Sequence, residues 1–578
     1  MKIEMAKHSG FCMGVRNAVL KIVDKLNSSD DDIYVYGPLI HNPQTISVLN
    51  ERGLKTIKNF DNIDGKDVAI RTHGIPIEES RKLKSRARKT YNLTCSRVGR
   101  VQSFIKKYSS KGFHIIIIGD HDHAEVIGLK SYAQSGVTVV SDKRDLIKIP
   151  ANKKYLIVSQ TTHERSQFQQ LVNQIKKIHS NVEVIDTICD STRLRQQDVN
   201  DAIRNGIDTL VVVGGKNSAN TTRLAKLGTD NKIKTLHVET DDELKLKDFI
   251  NSEYVFVTAG ASTPGWIINN VLEKIYMFKK SKSNIFIKFL KTVFEFLVRS
   301  NLLSSITAFF MVLLSQKLLE LPVNYSFGII ASIYIFYMYS VNNYIERDFL
   351  SKSNSYKYKI YNKYGIQLLF LSSLLVPFSI YFAWKNSLVT LSILGASYIL
   401  GTVYSTATLK RFIKKNPSKI ILKLYNSRII TPFGWLVVTI LLPAMENGTI
   451  NCPRIAGLSI FLYTIIFLRQ TIIDVVAYHG DFILGRETIP TWLGMKWTSI
   501  SSYTLLFLSV VLIVVESFVL GNYIYLAYII NLAYFLTLFG KLMQKNYLIS
   551  LKYEFLTDLN YILFIIISLL VHKFSIII

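Results

Sequence analysis

A chain of 578 residues is longer than one hydrophobic core usually organises, so roughly two to four domains are expected. Its formal net charge of +27 comes without a nucleic-acid recognition motif or an aromatic-basic ladder, which excludes nucleic acid and leaves a membrane surface as the basic chain's partner. Of the four cysteines, the three in the first half (Cys12, Cys95 and Cys189) cannot pair off completely, which argues against a disulfide framework and for metal or redox chemistry.

In chain order, Met1-Lys2-Ile3-Glu4-Met5 leads straight into a glycine-rich turn without the apolar core of a secretory signal, so the first half is expected in the cytoplasm. Short β-branched runs follow at Ile33–Tyr36, His114–Ile118, Tyr155–Val158, Thr209–Val213 and Val255–Thr258, separated by polar helical patterns. Each run ends in a turn rich in Gly, His, Ser or Thr, as parallel strands do when they deliver ligands from their C-terminal ends. The three cysteines recur at similar intervals, each beside a turn and before a helical pattern. That spacing points to an α/β fold of three related lobes around one centre. Residues 1–278 form this expected domain, 279–292 a basic linker containing Lys279, Lys280 and Lys282, and 293–578 a polytopic all-α membrane domain. Apolar segments centred near residues 305, 333, 374, 396, 437, 463, 509, 531 and 567 predict about nine transmembrane helices. Lys and Arg crowd the loops after the second, fourth, sixth and eighth segments (Arg347 to Lys363, Lys410 to Lys423, Arg486 and Lys496, Lys541 to Lys552). The positive-inside rule therefore puts those loops in the cytoplasm, and the expected location is the inner (cytoplasmic) membrane.

On spacing alone, three cysteines read as small buried hydrophobes. Three thiolates can also hold three irons of a cubane cluster and leave the fourth open to a substrate oxygen. The residues around them favour the second reading: Gly10-Phe11-Cys12-Met13-Gly14-Val15, His41-Asn42-Pro43, Thr72-His73-Gly74, Thr94-Cys95-Ser96, His123-Ala124-Glu125, Gln160-Thr161-Thr162, Gly214-Gly215-Lys216-Asn217-Ser218-Ala219-Asn220 and Thr258-Ala259-Gly260-Ala261-Ser262.

In order and spacing, from residue 2 to about 275, this set resembles the 4-hydroxy-3-methylbut-2-enyl diphosphate reductases, the LytB or IspH family. The resemblance implies that Cys12, Cys95 and Cys189 ligate a 4Fe-4S cluster. It further implies that His41, His73, His123, Thr161, Ser218, Asn220 and Ser262 receive a small diphosphate, and that a ferredoxin- or flavodoxin-like protein donates electrons. Imidazoles, hydroxyls, amides and the N–H groups of the Gly214-Gly215 turn suit phosphate oxygens arriving from several directions. His123 and Glu125 are two residues apart, so on an extended segment both face one cavity. There His123 meets phosphate charge, Glu125 handles protons, and Thr161 joins the relay. Asn92, Leu93, Ser96 and Ala219 depart from the usual family pattern without removing a cluster ligand or the acid.

Two polar clusters interrupt the membrane half: Asn342-Asn343-Tyr344-Ile345-Glu346-Arg347-Asp348, and Asp474 with Asp481 and Gly485-Arg486-Glu487-Thr488-Ile489-Pro490. Carboxylates at membrane depth are costly and so carry a functional expectation. The arrangement resembles the UbiA-type intramembrane prenyltransferases over about residues 285–578. That resemblance implies Mg2+ and a prenyl diphosphate at Asn342, Glu346, Asp348, Asp474 and Asp481, with Lys410 or Arg411 assisting the departing diphosphate. In the second motif Ala477 replaces a middle acid. In the first, Asn343 and Leu350 stand where acids are usual. Three readings follow: a reductase fused to a prenyltransferase, a reductase on a degenerate membrane anchor, or a cluster-based sensor without turnover. Glu125 beside the diphosphate set disfavours the sensor, because a sensor needs no proton relay.

Overall fold

Four consecutive isoleucines follow His114, and β-branched side chains of this kind favour extended backbone. In the computed structural model they form a fully buried strand, and the same logic builds the first half of the chain. The structure describes residues 1–29, 31–59, 63–281, 285–347, 355–405, 431–446, 452–484, 488–519, 521, 523–543 and 550–574. The chain divides into two units, Met1–Lys279 with Phe482–Gly485, and Lys280–Asp481 with Arg486–Ile578.

The first unit runs β1 (Lys2–Met5), α1 (Met13–Ser28), β2 (Ile33–Tyr36), α2 (Pro43–Glu51), β3 (Leu54–Ile57), β4 (Asp67–Ile70), α3 (Ile77–Arg86) and β5 (Lys89–Asn92). It continues with α4 (Ser96–Ser109), β6 (His114–Ile118), α5 (Ala124–Lys130), β7 (Val137–Val140), β8 (Tyr155–Ser159), α6 (Arg165–Ile178), β9 (Val182–Val184) and α7 (Asp190–Arg204). It closes with β10 (Thr209–Val213), α8 (Ala219–Asp230), β11 (Lys234–Val238), β12 (Tyr254–Ala259) and α9 (Gly265–Ser281). The strands make three four-stranded sheets in the orders β1-β12-β10-β11, β3-β2-β4-β5 and β7-β6-β8-β9. All pairings are parallel, with registers such as Ile33 opposite Asp67, His114 opposite Tyr155 and Thr209 opposite Val255. Three α/β lobes result, as the sequence predicts.

Side chains alternate across each strand, so both faces must be covered. Ile115 and Ile117 pack with Val101 and Ile105 of α4 and with Val126 and Leu129 of α5. Ile116 and Ile118 pack on the opposite face with Phe168, Leu171 and Ile175 of α6. Each fully buried isoleucine contributes about 1.5–3 kcal/mol. Because the strands are parallel, their C-terminal ends and the following helix starts gather on one side of each lobe.

The second unit is all helical among the described residues. Six helices are long and apolar enough to cross a membrane: Lys357–Asn386, Leu388–Ser405, Cys452–Tyr478, Ile489–Val519, Tyr525–Met543 and Tyr553–Val571. Of the nine spans expected, six are matched by such helices among the described residues, or seven if the bent pair Thr292–Arg299 and Leu302–Leu318, at 69°, counts as one. Each of the other three predicted segments is a helix with a physical shortfall. Leu302–Leu318 has only 17 residues. Tyr325–Ile345 is long enough, but five tyrosines and two asparagines lower its hydropathy. Thr431–Glu446 is short, with a π-helical stretch at Val437–Leu441. Outward-facing Phe370, Leu388, Leu400 and Phe507 are each about two-thirds exposed, as lipid-facing side chains are when no bilayer is present.

Candidate active site

Each of the three cysteines ends a loop and caps a helix. Cys12 precedes α1 and its Sγ accepts from the Val15 amide at 3.4 Å, Cys95 precedes α4, and Cys189 precedes α7. Three further helix starts turn the same way: His123 caps α5, Ser218 caps α8, and His41 stands one residue before Asn42, which caps α2. A helix N-terminus carries partial positive charge and unsatisfied N–H groups, so six of them make a strongly anion-attracting centre.

One cavity is lined by Cys12, Cys95, Cys189, His41, His73, His123, Thr161, Ser218, Asn220 and Ser262. The structure thus brings together all the predicted residues of this half except Glu125, which lies fully buried behind Thr161. Thr72, Arg97, Thr162, Ser191 and Thr192 also line the cavity without having been predicted as site residues. Arg97, two residues after Cys95, donates to Asp190, the residue after Cys189, at 2.8 Å; nearness to the cysteines is the only sequence signal for either.

The three thiols fit a cluster. A Cβ on Gly14 would lie 2.5 Å from Cys95 Sγ and 3.9 Å from Cys12 Sγ, so the glycine leaves the room that the sulfurs occupy. Burial pushes the Cys95 and Cys189 thiols up, as does repulsion from Cys12, while backbone amides of the helices that they cap pull the other way. Bound iron would supply the missing cationic partner. Among the described residues no group of three His, Cys, Asp or Glu side chains is placed to hold a single metal ion. Thiolates that each take a different iron of one cluster stand further apart than the ligands of one ion.

On the other side of the cavity the imidazoles of His41, His73 and His123 cluster, with ring centres 4.9, 5.3 and 6.3 Å apart. Burial, then repulsion by His73, brings His41 and His123 down to about 4, so both are neutral near pH 7. Asn220 is 5% exposed and neither of its side-chain amide atoms has a hydrogen-bond partner among the described residues. An orphaned amide lining a cavity marks a place for a ligand. Ser262 Oγ donates to the His41 carbonyl at 3.0 Å, and Gly214, at φ +141°, turns the chain where a Cβ would strike Thr263.

Both Glu125 oxygens accept from one residue, Oε1 from the Thr161 amide at 2.7 Å and Oε2 from the Thr161 hydroxyl at 2.9 Å. Burial alone would raise this carboxyl. His73, the Thr161 amide and His123 outweigh it, leaving the group below the usual carboxylate range. His73 Nδ1 stands 3.7 Å from Oε2, too far for a direct hydrogen bond, so its influence is that of a nearby charge.

In the second unit Asp474 and Asp481 are both buried, seven residues and so two turns apart on the helix Cys452–Leu484, which puts them on one face. Asp474 Oδ1 accepts from Gln470 at 2.8 Å. Carboxylates are oxygen ligands of the kind that Mg2+ takes alongside phosphate and water, although two turns separate these two by about 10 Å along the helix. Asn342 and Glu346 end the helix Tyr325–Ile345, and Asn343 is buried with its amide donating to Tyr361 at 3.2 Å. Asn301 donates to the same hydroxyl, so an amide at 343 serves packing where an acid was expected. Asp348, Leu350, Lys410, Arg411, Gly485, Arg486 and Glu487 lie outside the described residues.

Three parallel α/β lobes thus bring cysteine-capped and histidine-bearing turns to one cavity. The family model described as LytB protein matches residues 3–276, and the chain belongs to that family. It is 37% identical over 272 residues to a 4-hydroxy-3-methylbut-2-enyl diphosphate reductase of Anaeromyxobacter sp. (strain Fw109-5), covering 47% of this chain and 95% of that one. A reductase of the same description from Alkaliphilus oremlandii (strain OhILAs) is 38% identical over 279 residues, covering 48% of this chain and 99% of that one. A solved UbiA homolog from Archaeoglobus fulgidus, bound to GPP and Mg2+, superposes with a TM-score of 0.32 at 12% identity, over 47% of this chain and 99% of its own.

Proposed function

We propose that the first half reduces 4-hydroxy-3-methylbut-2-enyl diphosphate, in isoprenoid biosynthesis, to isopentenyl and dimethylallyl diphosphates. Two electrons and two protons enter, the C–O bond to the hydroxyl breaks, and water leaves. The observation that carries this reading is the convergence of Cys12, Cys95 and Cys189, the three imidazoles and the orphaned Asn220 amide on one cavity. A 4Fe-4S cluster held by the three cysteines supplies the electrons when bound, fed by a ferredoxin- or flavodoxin-like donor. His41, His73, His123, Ser218, Asn220 and Ser262 bind and orient the diphosphate. Glu125 is ionised in the free protein, so it delivers a proton only after receiving one; the Thr161 hydroxyl, hydrogen-bonded to Oε2, is its partner in that relay. Anaerobically purified protein is expected to show a cubane iron-sulfur spectrum and to convert the substrate, and Cys12→Ser, Cys95→Ser and Cys189→Ser each to lose the spectrum or make it oxygen-labile. A stoichiometric zinc site without inorganic sulfide would refute it.

For the second half we propose transfer of a prenyl group from a prenyl diphosphate to an acceptor, in the inner (cytoplasmic) membrane. The buried Asp474 and Asp481 on one helix face support this reading; Asn342, Glu346, Asp348, Lys410 and Arg411 are assigned to the site by sequence resemblance alone. Mg2+, when bound, neutralises the charge of the departing diphosphate. The competing reading, a membrane anchor, is favoured by Asn343 and Leu350 in the first motif.

A further inference from the structure

Arg223 lies on α8, three residues after Asn220 and thus on nearly the same helix face. Its side chain, 15% exposed, leaves the lobe of β10 and α8 and enters the lobe of β6 and β8. There Nη2 bonds Asp120 Oδ2 at 2.6 Å and lies 3.4 Å from His163 Nδ1, while Nη1 donates to the Thr162 carbonyl. Gln160 completes the enclosure, accepting from the Asp120 amide at 3.0 Å and donating to the Thr162 hydroxyl at 2.9 Å. Thr161, between these contacts, is the residue that holds both oxygens of Glu125. A planar guanidinium with several donors suits such a junction, and lysine does not replace it.

We propose that Arg223 is a positioning residue that couples the ligand-facing turn of α8 to the Thr161–Glu125 pair, so that a diphosphate held at Ser218 and Asn220 sets the placement of the proton-transfer groups. This rests on the reductase reading. The substrate's anionic end is bound from one lobe and its proton is handled from another, and Arg223 ties the backbone of the second lobe to the helix of the first. A mere brace would affect folding and turnover together, whereas a positioning residue separates them.

The test uses the anaerobically purified full chain. Arg223→Gln is expected to keep the cluster spectrum and melting temperature of the wild type, to lower kcat about 10-fold or more, and to change KM far less. Its loss should be absorbed by Thr161→Val, the double variant being no worse than Thr161→Val alone, and Arg223→Lys should recover only part of it. If Arg223→Gln does not fold, Asp120→Asn, which weakens the same junction from its half-exposed side, is read by the same criteria. Wild-type kcat in the folded variant, or losses that multiply fully with Thr161→Val, would overturn the proposal. Inorganic diphosphate is the second probe: it should slow amide hydrogen exchange at residues 160–163 in the wild type and not in Arg223→Gln. Equal protection in both overturns the coupling even if the chain proves not to reduce the substrate, an outcome that would sink the reductase reading separately.

Discussion

The proposed proton chemistry rests on one side chain, Glu125. It is fully buried, yet both oxygens are satisfied by Thr161, and three neighbouring groups hold it ionised against the cost of burial. Glu125→Gln keeps the shape and can still accept from the Thr161 amide, but it carries no transferable proton. The cluster spectrum and diphosphate binding should therefore persist while reductive turnover falls about 100-fold or more, as removal of a general acid usually costs. Single-turnover assays with the pre-reduced protein measure this directly, and wild-type turnover would remove Glu125 from the relay.

At the scale of elements, what matters is that six helix starts meet, because this brings imidazoles together as well as thiols. His41, His123 and His163 are all brought down to about 4 from an ordinary 6.5, burial being the largest cause in each. The unfolded chain thus binds more protons than the folded one between about pH 4 and 6.5, so stability is greatest above that window and is lost as pH falls through 6.5 toward 4. For His163, 1% exposed, the difference is worth about 3 kcal/mol at the most. The melting temperature of the first unit should drop across that window, and His163→Asn should flatten the slope; a slope unchanged by the substitution would show that the imidazole is not responsible. Much of this convergence was legible beforehand. Ile33–Tyr36, His114–Ile118 and Thr209–Val213 are strands with the bounds their β-branched runs suggest, since a central parallel strand is apolar on both faces. Edge strands such as Leu54–Ile57 and Lys89–Asn92 were not, because one exposed side lets Lys, Thr and Asn in and erases the pattern. Arg223 was not legible either: an arginine on a polar helix looks like any solvated residue until the fold sets it against Asp120 and Thr162.

Across the whole molecule, the two units place chemistry-bearing residues under different physical constraints. In the first, polar groups converge on helix N-termini at the ends of parallel strands; in the second, carboxylates are buried among apolar helices, where they are retained only at a cost. Asp474 and Asp481 share a helix face with no residue of the cysteine and histidine site, whose members all precede Lys279. Replacing either with Asn removes a full charge from beside the proposed Mg2+ while leaving a weak oxygen ligand. Transfer of a labelled prenyl group to quinone, lipid or sugar-phosphate acceptors by membranes carrying Asp474→Asn or Asp481→Asn should collapse, while reduction of 4-hydroxy-3-methylbut-2-enyl diphosphate by the same preparations should be unchanged. If the wild type transfers no prenyl group to any of these acceptors and the variants behave as wild type in cells, the second half is an anchor. Its eroded first motif, with Asn343 turned to Tyr361, is then the structural record of that loss.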